Sequence, residues 1–256
     1  MSARAAPAGL DVGLALAEGW RAFHRAPRAF VAFSMLVSAL SGLCNLPFSR
    51  LLTQALTPTP VDLLLALLGL LGFLGLLAVQ LWAACGFVRA SWSALEGRRP
   101  NRRCFLSPAP QATGRLLGAV LTLAGLAFGA ALLLALLEAA VTPLSASLAK
   151  LVALLPVPGL LYLVVSQRFL GPIALLEGPG SLATLERGRR VVDPRWGSVL
   201  GLALAQLVMR GLGLLAGVVG VFVALPVVAC SSTAAYRQLF GSRDRTGLLA
   251  PPPPAA

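Results

Sequence analysis

Long apolar runs, broken by short stretches rich in arginine, proline and glycine, set the pattern of this chain. Several runs exceed the roughly 18 residues that mark a membrane span. They predict spans at about 29–47, 61–88, 116–140, 148–170, 197–215 and 218–239. The last two divide one stretch, 197–239, in which only Arg210 and Arg237 are charged. A single helix of that length would reach roughly 64 Å, about twice a bilayer core, so a hairpin turning near Gly217 fits better. The span at 61–88, reaching about 42 Å, must tilt or project beyond the bilayer.

Two amphipathic stretches punctuate these runs. In 10–25, Val12, Leu16, Trp20 and Phe23 recur at helical spacing, Glu18, Arg21 and Arg25 take other faces, and Pro27 is a stop. The pattern predicts an interfacial helix; the alternative is the opening turns of a long span. In 181–192, Ser181 is placed to cap, Leu182, Leu185 and Val192 share one side, and Arg187 and Arg190 lie on another. Asp193-Pro194 ends that helix and Trp196 stands where an interfacial anchor belongs.

Within the spans, Pro156-Val157-Pro158-Gly159 predicts a kink or a broken helix in span four. Gly114, Gly118, Gly125 and Gly129 fall within about 60° of one another around span three. Such a smooth face lets another backbone approach closely, which makes it the expected packing centre. Residues 241–256, ending in Pro251 to Pro254, read as a disordered tail. Residues 1–240 read as one membrane domain, an all-α, polytopic helical bundle of about six transmembrane helices.

Composition agrees. The chain is 57% hydrophobic and 12% charged, with a mean hydropathy of +0.84. Soluble domains carry about 25% charged residues, so half that level cannot cover a globular surface. The net charge of +12 raises nucleic acid as a partner, but its distribution argues against it. With six spans, every basic residue except Arg50, Lys150 and Arg210 falls on the side of the two termini. That asymmetry encodes orientation and predicts both termini in the cytoplasm. The basic residues are arginines except for Lys150, a bias that points to a GC-rich bacterial genome and hence a bacterial cytoplasmic (inner) membrane. Arg21, Arg98, Arg99, Arg102, Arg103, Arg187, Arg189 and Arg190 are the candidate contacts to anionic lipid headgroups. A protein partner is left open.

The inventory assembles no catalyst. His24 stands alone, and no HExxH, GxxxxGK[ST] or GxSxG motif occurs. Cys44, Cys85, Cys104 and Cys230 lack CxxC or paired spacing. No catalytic, cofactor or metal residue is assigned, and the chain reads as a non-enzyme. Glu138 and Arg210 are charges placed within spans, a functional hypothesis by default. Two such groups suit structural anchoring better than a permeation path. Ser231, Ser232 and Thr233 are expected to bond to helix carbonyls or to a neighbouring helix.

A further pattern runs through Pro158-Gly159-Leu160-Leu161-Tyr162, Gln167-Arg168-Phe169, Leu176-Glu177-Gly178 and Trp196. It is joined by Ala17-Glu18-Gly19-Trp20 with Phe23 and Pro27, and by Pro226 through Tyr236-Arg237. These residues resemble the membrane domain associated with bacterial glycerophosphoryl diester phosphodiesterases and related six-span proteins. In that family the phosphodiesterase chemistry belongs to a separate soluble domain, for which this chain has no room. The resemblance therefore implies a stand-alone membrane module without that activity. Two functions stand: a non-catalytic membrane protein organising lipids or partner proteins, or a transporter or permease subunit with a site near the proline-broken span four.

Overall fold

The computed structural model describes residues 9–55, 63–143 and 145–249. Their regular structure is helical: α1 Val12–His24, α2 Pro27–Ala55, α3 Leu63–Leu95, α4 Arg102–Leu106, α5 Pro110–Val141 and α6 Ala146–Leu154. There follow α7 Pro156–Ser166, α8 Leu170–Leu176, α9 Ser181–Val192, a 3-10 turn Asp193–Arg195, α10 Trp196–Leu215 and α11 Val218–Phe240. Six stretches are long and apolar enough to cross a membrane: Pro27–Gln54, Leu63–Leu95, Pro110–Val141, Lys150–Leu176, Ser181–Leu215 and Val219–Phe240. The fold is an all-α polytopic bundle. Leucines such as Leu63, Leu71, Leu133 and Leu214 stand exposed, as side chains against acyl chains would. Arg4, the first two residues of the span predicted at 61–88 and Pro251 to Pro254 lie outside the described residues.

Prolines set several helix ends. A turn through Arg25 and Ala26 separates α1 from α2, so 10–25 holds a helix of its own rather than the first turns of a span. Pro27 then opens α2 and Pro110 opens α5, positions where the missing N–H has no helical partner anyway. Pro47, expected to end the first span, lies inside α2, which continues to Ala55. In span four the helix parts at Leu155 as expected. Leu155 keeps φ −57° and ψ −34°, so the path stays helical while Pro156 and Pro158 withhold their donors. Between α10 and α11, Gly217 takes φ +81°, which a residue with a Cβ adopts only at a cost.

The packing of the described residues groups into two compact units, one of residues 13–55, 63–113 and 206–234, the other of residues 9–12, 114–143, 145–205 and 235–249. In the first, α3 lays Gly69, Gly72 and Gly75 against Leu51, Cys44 and Pro47 of α2. Its core is aromatic. Phe105 of α4 meets Phe30 at 5.3 Å and Phe33 at 5.0 Å between ring centroids, and Phe33 also packs on Trp82 and Phe87. The inner face of α1 is Ala15, Gly19, Ala22 and Phe23, with Leu16 and Trp20 off it. The reason is a close approach: a Cβ on Gly19 would lie 2.6 Å from the Ser231 backbone of α11, which only a small-residue face permits. Trp20 is left about half exposed.

The second unit is centred on α8, whose Ile173, Leu175 and Leu176 are wholly buried. In α9 the inner face is Thr184, Leu185, Gly188 and Val192, while Leu182 is exposed, correcting its expected side. The cap differs too. Gly180, at φ +97°, is the N-cap residue, and Ser181 begins the helix without a side-chain cap bond. The tail expected to be disordered from residue 241 is instead held as far as Leu249. Thr246 Oγ1 donates to the Leu175 carbonyl at 2.6 Å and the Arg245 N–H to the Leu176 carbonyl at 2.8 Å. Asp244 closes the turn by accepting from the backbone of Thr246, Gly247 and Leu249, a local carboxylate-to-backbone device that composition does not reveal.

Candidate functional site

The charged surface of the first unit is built on α4 and the residues around it. Two arginines counted above only for their charge are fastenings. Arg25 donates to the carbonyl of Ala94 in the last turn of α3, and Arg89 to the carbonyl of Ser107 after α4. Cations suit such carbonyl-rich helix ends. Trp92 Nε1 donates to Glu96 at 2.9 Å, and Glu96 pairs with Arg98. Together these bonds fix where the loop leaves α3. They leave the guanidiniums of Arg28, Arg99, Arg102 and Arg103 exposed and without an ion-pair or hydrogen-bond partner among the described residues. Arg28 and Arg102 line one cavity of about 510 Å³.

The second unit carries the other arginine group. Glu177, directly after α8, accepts from Arg187 Nε at 3.1 Å and from the Tyr236 hydroxyl at 3.4 Å. Its side chain is 9% exposed, so it is the anchor of the pair and Arg187 the exposed partner. The Arg187 guanidinium also lies 5.8 Å from the Phe240 ring centroid, a cation–π distance. Along α9, Glu186 pairs with Arg190 at 2.7 Å and with Arg189 at 3.3 Å. A cavity of about 410 Å³ lies among Glu177, Pro179, Ala183, Arg187, Arg190 and Arg245. Its arginines are largely matched by carboxylates, so it attracts a further anion weakly.

The eight arginines singled out by sequence thus divide. Arg98, Arg187, Arg189 and Arg190 pair with carboxylates, and Arg21 bonds back to the Ala17 carbonyl of its own helix. Arg99, Arg102 and Arg103 remain available. Arg28, which sequence reasoning did not single out, joins them; its position directly after Pro27 at the foot of α2 was the available signal.

Within the spans the polar contacts gather on Gln206 and the Ser231 to Thr233 patch, which bonds to helix carbonyls and a neighbouring helix as expected. Glu138 and Arg210 are exposed, and neither side chain has an ion-pair partner among the described residues. Gln206, wholly buried, donates to Ser231 Oγ at 2.9 Å and Ser232 Oγ at 3.1 Å. Ser231 and Thr233 bond back to the Val228 and Ala229 carbonyls of their own helix. Of the four glycines expected to pack, Gly118 faces Ser181 Oγ, at 2.8 Å from where a Cβ would sit. Gly114, Gly125 and Gly129 have open space around them, and close approaches fall on glycines of other helices, Gly19, Gly72 and Gly86 among them. The four cysteines are free thiols. Among the described residues no three His, Cys, Asp or Glu side chains come together as a metal site requires.

Such a set of groups can hold anions at a surface and tie helices together. Comparison with family models, with curated proteins and with solved structures finds no match.

Proposed function

We propose that this protein is a non-catalytic, multi-pass protein of a bacterial cytoplasmic membrane that gathers anionic lipids or partner proteins at an arginine-rich cytoplasmic surface. The observation that carries this reading is the unpaired, exposed quartet Arg28, Arg99, Arg102 and Arg103 around α4. An arginine near an anionic headgroup layer contributes about 1 kcal/mol, so four of them amount to a firm attraction. The near-exclusion of basic residues from the opposite side supports the orientation. The resemblance to a membrane domain that accompanies phosphodiesterases accords with a module lacking chemistry of its own.

The test is purification directly from native membranes, with mass spectrometry of the lipids and proteins that remain bound. Enrichment of anionic phospholipid over the surrounding membrane, reduced when Arg99, Arg102 and Arg103 are changed to Gln, is expected. Lipid retained in the same proportions as the bulk membrane, with no recurring protein partner, would contradict it. The break at Leu155 favours a second reading, a transporter or permease subunit. Solute flux in proteoliposomes that vanishes in a folded Arg210→Leu variant would establish that reading instead.

A further inference from the structure

The cavity at the foot of α2 combines features that the rest of the surface keeps apart. Arg28 and Arg102 lie on its lining, and Ala32, Phe33, Leu36 and Leu106 supply apolar wall. Along α2 the lining positions run from Arg28 to Leu36, a rise of about 12 Å. The charged end of the groove is therefore at the start of the helix, and the apolar wall follows the helix into its span. Ala32, Leu36 and Leu106 are exposed, whereas Phe33 and Phe105 beneath them are buried.

The floor is rigid. Phe33 and Phe105 pack at 5.0 Å, and a Cβ on Gly86 of α3 would lie 2.7 Å from both the Phe105 carbonyl and the Phe33 ring. Trp82 Nε1 donates to the Leu106 carbonyl at 3.4 Å, fixing the end of α4. A groove held this firmly keeps its shape when empty, and its volume of about 510 Å³ is in the range of ligand sites.

We propose that this groove binds one anionic phospholipid, with its phosphate between Arg28 and Arg102 and an acyl chain along Ala32, Leu36 and Leu106. The charge carries the choice of occupant. Two guanidiniums without a carboxylate partner among the described residues call for a phosphate, which guanidinium groups bind well. An apolar wall continuing along a helix able to cross a membrane calls for a hydrocarbon chain attached to it. A soluble anion would leave that wall uncovered, and a neutral lipid would leave both arginines unmatched. The contrast with the cavity beside α9 is direct, since its Arg187 and Arg190 pair with Glu177 and Glu186. The inference rests on the lipid-gathering reading above and narrows it from a surface to a single site.

The test places the full chain in phosphatidylcholine nanodiscs containing a small fraction of phosphatidylglycerol, and reads the lipid retained after detergent transfer by native mass spectrometry. One phosphatidylglycerol per chain is expected to persist in the parent protein. Arg28→Gln combined with Arg102→Gln is expected to weaken its retention about thirty-fold, from the loss of two headgroup contacts. Ala32→Trp keeps both arginines but fills the groove from an exposed position that the fold does not need, and is expected to expel the same lipid. Arg99→Gln with Arg103→Gln is expected to leave this one lipid in place while lowering general anionic enrichment. Retention by Ala32→Trp, or equal losses in the two arginine pairs, would overturn the groove and leave the surface reading standing. No preference for phosphatidylglycerol in any form would overturn both, as would displacement by phosphatidylcholine at equal concentration.

Discussion

Gly72 of α3 lies so close to α2 that a Cβ on it would sit 2.5 Å from the Cys44 carbonyl oxygen. The same Cβ would lie 2.7 Å from Cγ of Pro47. Both obstacles are rigid, one a backbone group and the other a ring, so the helices must part if the position grows.

Gly72→Leu is accordingly expected to destabilise the protein by about 1–3 kcal/mol, from overpacking at a site that cannot yield. A fall in the thermal midpoint of the purified protein measures it. Gly125→Leu, where nothing lies within 4 Å, is expected to stay within about 0.5 kcal/mol of the parent. A larger loss at Gly125 than at Gly72 would restore α5 as the packing centre.

Phe105 joins a five-residue helix to the aromatic core of the first unit. Phe105→Ala is expected to cost about 3–5 kcal/mol, the usual range for a buried aromatic truncation. Denaturant unfolding in mixed micelles would show it. The same variant should raise protease cutting at Arg102 and Arg103, because Phe105 is the side chain that carries α4 into the aromatic core.

Hydropathy made the spans legible, because a helix in lipid must be apolar for about twenty residues and little else in the sequence is. Helix ends were harder to read. Pro47 resembles a boundary, yet neighbouring helices let a membrane helix carry an internal proline. Faces were harder still. The spacing of Gly114, Gly118, Gly125 and Gly129 shows that a smooth stripe exists but not that anything covers it, and the covered stripe is on α3. Phe105 was hidden because α4 is too short to show a period. The Glu177–Arg187 pair was hidden because it closes across the turn between α8 and α9, outside any helical spacing.

Gln206 is a polar side chain of leucine-like bulk in a buried position. Gln206→Leu removes both serine contacts and is expected to cost about 1 kcal/mol, consistent with modest hydrogen bonds between helices in membranes. Gln80→Leu, which breaks an exposed 3.0 Å bond to Ser41, is expected to cost less. Comparing the two by unfolding in the same micelles checks the ranking.

Residues 241–249 are held on α8 through Thr246. Thr246→Val is expected to speed tryptic cutting after Arg243 and Arg245 about five- to tenfold, since one hydrogen bond of about 1–1.5 kcal/mol shifts local opening by that factor. Equal cutting rates in parent and variant would mean that the tail is not fastened there.

For these arginines to meet anionic lipid, the arginine-rich side of the bundle must be the cytoplasmic one. Paired reporters, one active only in the cytoplasm and one only outside it, fused after Arg103, Arg190 and Arg245 and separately after Arg50, measure this most directly. The first three positions are expected to report the cytoplasm and the fourth the opposite side. Extracytoplasmic activity after Arg103 would contradict the orientation and, with it, the proposal that these arginines meet anionic lipid on the inner face.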